Sequence, residues 1–129
     1  MKVVVVDSER LGAEAEFPPL AAEKFAWEQF PALEAEELAE RCWRAHAVVT
    51  VSTPLGAAEM KGMTMLSLIV VAGDSAAHVD LDAARAAKVA VCHVPGADPT
   101  DPAQAQRICG EVVANIDAFM DGQARHRLV

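Results

Sequence analysis

Residues 66–71 read LSLIVV and residues 47–51 read AVVTV. Runs this short, this apolar and this rich in β-branched side chains are how strands buried on both faces of a parallel sheet read. Helices cover each face, so no polar alternation is needed. Val3 to Val6 and Val89 to Val94 are two more runs of the same kind. A fifth stretch, Phe25 to Phe30, sets Phe25, Trp27 and Gln29 against Ala26, Glu28 and Phe30 and stops at Pro31, which predicts an edge strand.

Helical spacing fills the intervals. Leu38, Ala39, Cys42, Trp43 and His46 share one face, with Glu36, Glu37, Glu40, Arg41 and Arg44 on the other. Ala57 to Lys61 and Leu81 to Ala87 give one or two turns each. The strongest helix follows Asp101, a cap residue with Pro102 in the first turn and Gln104 at capping-box spacing. Its apolar face is Ala105, Ile108, Cys109, Val112, Ile116, Phe119 and Met120, and Gly122 ends it. Strands alternating with helices predict an α/β domain with right-handed crossovers. Five strands and five helices suit the flavodoxin-like doubly wound parallel sheet, order 2-1-3-4-5, with helices on both faces.

The chain has 129 residues, enough for a single domain. Its formal charge of −8, from 11 basic and 19 acidic residues, excludes the basic footprint that nucleic acid or an anionic membrane surface requires. No apolar run approaches the roughly 20 residues of a membrane-spanning helix. Met1 leads directly into a strand pattern, so no signal peptide is expected and the expected location is cytoplasmic. Cys42, Cys92 and Cys109 are odd in number and widely spaced, and are expected as reduced core residues.

Because this fold serves many functions, the loops at the strand ends have to be tested one chemistry at a time. A dinucleotide needs GxGxxG after the first strand, yet no two of Gly12, Gly56, Gly62, Gly73, Gly96, Gly110 and Gly122 are two apart. A flavin phosphate would meet Asp7 and Glu9 where donors are needed. A phospho-receiver would need an Asp after the third strand and a Lys after the fifth, where Ser52 and Pro95 stand. His46, His78, His93 and His126 lack metal-ligand spacing, and Ser52 and Ser75 lack a visible base, so neither a metal site nor catalytic residues are expected.

Several stretches together resemble the substrate-binding domain of the D-2-hydroxyacid dehydrogenases, in the formate, glycerate and hydroxypyruvate branch. They are Val48 to Leu55; Leu68 to Gly73 with His78 to Leu81; Ala83, Ala84 and Arg85; and Val89 to Gly96. Residues 1–96 resemble the amino-terminal part of that domain, and residues 101–129 its returning carboxyl-terminal helix and tail. The resemblance implies one domain, 1–129, from which the nucleotide-binding domain and its catalytic residues are missing, rejoined near Asp98 to Asp101, by excision or engineering.

The resemblance also implies a loop after the fourth strand whose backbone amides hold a substrate carboxylate. In this sequence it is Ala72, Gly73, Asp74 and Ser75, with the second glycine replaced by Ser75 and a negative charge introduced by Asp74, so it is expected to be vestigial. Ser8, Ser52 and Thr53 complete the expected rim. The expectation is a substrate-binding domain without catalysis or cofactor of its own, a monomer that binds a small carboxylate weakly. Two alternatives stand beside it: one half of a split NAD-dependent oxidoreductase needing a separate nucleotide-binding subunit, and a flavodoxin-like small-ligand or flavin binder.

Overall fold

The computed structural model describes residues 1–12, 15–21 and 25–129. The elements are β1 Lys2–Val5, β2 Ala26–Gln29, α1 Ala35–Cys42, β3 Ala47–Thr50, α2 Ala57–Lys61, β4 Leu68–Val71, α3 Leu81–Ala86, β5 Ala90–Cys92 and α4 Ala105–Met120. Two 3-10 turns, Ser8–Leu11 and Pro102–Gln104, follow β1 and precede α4. The sheet is wholly parallel in the order β2-β1-β3-β4-β5, as the alternation predicts, with β2 at one edge.

Successive residues of each strand point to opposite faces, and two separate cores result. Val3, Val5, Ala47, Val49, Leu68, Val70 and Cys92 face α4, which presents Ile108, Cys109, Val112 and Ile116. Val4, Val48, Ile69, Val71 and Val91 face Leu38 and Cys42 of α1, Met60 of α2 and Ala84 of α3. Three short helices thus cover one face and one long helix the other. This burial on both sides is why β3, β4 and β5 carry no polar residue except Thr50, which is itself buried and donates to the Thr53 carbonyl at 3.0 Å.

Acidic side chains cap the starts of α1, α2 and α3. Glu34 N–H donates to Glu37 Oε1, Gly56 N–H to Glu59 Oε2, and Asp80 accepts from Ala83 N–H, each at 2.9–3.1 Å. The three cysteines are free and buried, and burial pushes the Cys42 and Cys109 thiols up to about 11.

Three expectations need correction. The helical face read through Trp43 and His46 ends at Cys42. Only Leu38 and Cys42 are buried on α1, while Ala39 is exposed and Trp43 is 55% exposed, because the chain leaves the helix there to enter β3. Gln104 does not close a capping box on Asp101. Its Oε1 accepts from Asp98 N–H at 3.0 Å, and Asp101 caps through Ala103 N–H, because a 3-10 turn precedes α4. Met120 is exposed at the end of α4, past Ile116, the last buried residue of that helix.

The tail adds a contact with no warning in its sequence. Residues 126–129 run antiparallel beside β5, with His93 N–H donating to the His126 carbonyl, Leu128 N–H to Val91 and Val91 N–H to Val129. The outer edge of β5 is thereby paired over these residues, which removes an open row of backbone donors and acceptors. Gly122, at φ +76°, and His126, at φ +52°, make the two bends that bring the tail there.

Candidate functional site

At the carboxyl ends of β3, β4 and β5 the chain forms three loops that are tied to one another. The first, from Val51 to Leu55, is fixed by Asp7, the residue two past the end of β1. Its carboxylate is 2% exposed and accepts four hydrogen bonds: from the N–H groups of Val51, Ser52 and Thr53 at 2.8, 2.9 and 2.9 Å, and from Thr53 Oγ1 at 2.8 Å. A buried carboxylate is stable only with such partners.

The second loop runs from Gly73 to Val79 and is joined to the first through Leu55, whose N–H donates to the His78 carbonyl and whose carbonyl accepts from Asp80 N–H. The third loop, after β5, is bound to the second at several points. Asp74 N–H donates to Ala97, Val94 N–H donates to Gly73, and Gly96 N–H donates to Asp74 Oδ1 at 2.7 Å. His93 Nδ1 lies 2.8 Å from the Asp74 carbonyl, which makes Nδ1 the protonated nitrogen. Asn115 of α4, fully buried, donates to the His93 carbonyl at 2.9 Å and anchors this loop to the helix behind the sheet.

Between the three loops lies a recess of about 360 Å³. Ser52, Gly73, Asp74, Ser75 and His78 supply its polar lining, with Val51 and residues 97–99 closing the remaining sides. His78 Nε2 is buried without a hydrogen-bond partner, and burial lowers the imidazole pKa while the Asp7 charge partly opposes the shift. Asp98 stands at the mouth with its carboxylate held below its ordinary range by the Thr100 hydroxyl and N–H. Among the described residues, no lysine or arginine lines the recess. It offers the Ser52 and Ser75 hydroxyls beside two carboxylates, so an anion bound there has no cation among the described residues to pair with.

Of the expected rim, the structure brings together Ser52, Gly73, Asp74 and Ser75. It does not place the others in the recess. Ser8 turns away and donates to the Phe30 carbonyl at 3.2 Å. Thr53 is spent on Asp7, and Ala72 is fully buried under the sheet end. Asp74 is also less of an intruder than its charge suggests, since one oxygen is folded onto Gly96 N–H. His78, Asp98 and the structural role of Asp7 were not expected. An acidic residue closing a wholly apolar central strand is the signal that could have revealed Asp7, because burial there demands donors.

Asp7 fills the strand end with a carboxylate, and a Cβ on Gly12 would meet nothing within 4 Å. Gly73 is the glycine under closest approach, with Pro99 Cδ and Cγ 3.2 Å from where its Cβ would stand. Among the described residues, no group of three or more His, Cys, Asp or Glu could hold a metal ion, and no helix is long and apolar enough to cross a membrane.

The sequence profile of the D-isomer-specific 2-hydroxyacid dehydrogenases, catalytic domain, matches residues 3–129. The chain belongs to this family. Solved structures with the same fold include the NAD+-bound 3-phosphoglycerate dehydrogenase of Entamoeba histolytica. It is 21% identical with a TM-score of 0.59, over 74% of this chain and 33% of that one. The apo D-lactate dehydrogenase of Escherichia coli is 22% identical with a TM-score of 0.57, over 77% and 32%. The NAD-dependent formate dehydrogenase of Staphylococcus aureus, in complex with NAD, is 17% identical with a TM-score of 0.54, over 75% and 32%. The chain thus spans about a third of the length of these D-2-hydroxyacid dehydrogenase relatives. No curated protein matches it.

Proposed function

We propose that this chain is the substrate-side unit of a D-2-hydroxyacid dehydrogenase of the glycerate or hydroxypyruvate kind, and that it holds a small 2-hydroxy or 2-oxo carboxylate weakly and does not turn it over alone. The observation that carries the reading is the recess between the ends of β3, β4 and β5, where a family member would present loop amides to a carboxylate and where this chain presents Ser52, Gly73 and Ser75 without a cation among the described residues. Ligands of open α/β sheets sit outside the carboxyl ends of the strands, which is where this recess lies.

The domain reading is part of the same proposal: one unit, 1–129, in which 1–96 and 101–129 are joined across the loop at Asp98. It is supported by the family match running through that loop to residue 129, and by the Asp98–Thr100 and Asp101–Ala103 hydrogen bonds that let the loop lead directly into α4. NAD(P), which the family uses, would be held by a separate nucleotide-binding domain, since the glycines of this chain do not make the pyrophosphate turn. A cytoplasmic monomer fits the three reduced, buried cysteines and the closely covered sheet faces.

The test is turnover. The purified chain with NADH and hydroxypyruvate, glyoxylate or pyruvate is expected to leave NADH absorbance unchanged, and oxidation above the protein-free rate overturns the non-catalytic reading. Adding the isolated nucleotide-binding domain of a full-length relative is expected to leave it unchanged as well. NADH loss only with both pieces present replaces the proposal by the split-enzyme alternative.

A further inference from the structure

The strands begin at the opposite end of the sheet, and a second recess of about 340 Å³ opens there, at the amino ends of β1 and β2 and beside the segment entering β3. Its polar wall consists of Lys2, Glu28, Arg44 and His46, and Met65, 48% exposed, gives it an apolar flank. The local charge runs against that of the molecule. The chain carries a formal −8, yet this wall holds two full cations and one carboxylate, and Lys2 Nζ already occupies Glu28 at 3.2 Å. Arg44 has no carboxylate partner among the described residues, and its guanidinium lies over the Trp43 ring, 5.3 Å from the centroid.

His46 adds a directed donor. Its Nδ1 accepts the Lys2 backbone N–H at 2.9 Å, so in the neutral imidazole the proton must sit on Nε2. That ring is held in place from both sides of the chain, because His46 N–H also donates to the Lys2 carbonyl and the His46 carbonyl accepts from Ser67 and Leu68. The Nε2–H is therefore pre-set without the use of any side-chain partner among the described residues. A guanidinium fork and a fixed imidazole N–H, with an ammonium nearby, suit an acceptor with several oxygens around one centre.

We propose that this recess is a phosphate-binding site, taking either free phosphate or the phosphate group of a small monoester whose organic part rests on Met65. It is independent of the carboxylate recess at the other end of the sheet.

The experiment follows the His46 imidazole signals of the full chain by NMR, at about pH 7.5 and low ionic strength. Inorganic phosphate and then phenyl phosphate are titrated in, with sodium chloride matched for ionic strength and glycerate as controls. A saturable His46 shift with inorganic phosphate supports the site; tighter binding of phenyl phosphate assigns a monoester, and equal binding assigns free phosphate. Arg44→Gln is expected to weaken binding roughly threefold to tenfold and Arg44→Lys to keep most of it. Arg44 is exposed, so both variants are expected to keep the remaining spectrum. A non-saturating response, the same shift with chloride or glycerate, or undiminished binding by Arg44→Gln overturns the proposal.

Discussion

Asp7→Ala is expected to destabilise the domain by about 3 kcal/mol. The figure follows from the four bonds that end on this carboxylate. Val51 is 5% exposed, and its N–H, left without an acceptor, carries the full penalty of a desolvated donor, roughly 1–3 kcal/mol. Ser52 and Thr53 lie nearer solvent, so water replaces the carboxylate there and only the net gain of charge-assisted bonds is lost, about 1–2 kcal/mol together. Asp7→Asn keeps one acceptor oxygen but turns an NH2 group toward donors, and a loss of about 2 kcal/mol is expected. Against a domain stability of roughly 5–15 kcal/mol, the alanine variant should still fold, with its melting midpoint lowered by about 10 °C. Urea unfolding followed by circular dichroism measures the loss, and amide hydrogen exchange locates it at Val51, Ser52 and Thr53. A loss below about 1 kcal/mol, with these three amides as protected as before, would refute the view that Asp7 fixes the recess wall.

Three further outcomes follow from particular residues. Lys88 sits at φ +60° between α3 and β5, a conformation that costs a side-chain-bearing residue about 1 kcal/mol, so Lys88→Gly is expected to raise the melting midpoint by a few degrees; a fall contradicts the strain argument. Burial keeps the His78 imidazole below its ordinary 6.5, so the unfolded chain takes up a proton that the native one resists; its contribution to stability is complete above about pH 6.5 and is lost as the pH falls below it. His78→Gln should therefore flatten the dependence of the urea midpoint between about pH 7.5 and 5.5, and an unchanged slope rules the histidine out. Burial raises all three cysteine thiols, so a disulfide reagent at about pH 8 should react with none of them in the native protein and with all three in denaturant; rapid native labelling would contradict the packing of Cys42, Cys92 and Cys109.

The strand order could be read from the sequence because each strand had one reason to be apolar. Val3 to Val6, Ala47 to Val51 and Leu68 to Val71 are covered on both faces, and Phe25 to Phe30, with its mixed exposure, is at the edge as its alternation implied. The helix periodicity misled at Trp43, since a spacing rule cannot say at which residue the chain must leave a helix to reach the next strand. The candidate site was legible as a place more than as a set of residues. The loops after β3 and β4 do converge, but Ser8 and Thr53 satisfy backbone and Asp7 instead of facing the recess. His78 and Asp98 come to it through loop–loop hydrogen bonds that no local pattern encodes. The tail pairing along β5 was hidden for the same reason: residues 126–129 have no strand periodicity, and it is the open edge of β5 that orders them.

The central claim is that the recess between β3, β4 and β5 is a weak carboxylate site on a chain that does not turn its ligand over. Backbone amide NMR, with hydroxypyruvate, glycerate or glyoxylate raised to high millimolar concentration, tests it directly. Saturable shifts confined to residues 51–53, 73–78 and 97–99 are expected, with acetate weaker and sodium chloride without effect. Unmoved amides in all three loops, or shifts of the same size with chloride, would contradict it.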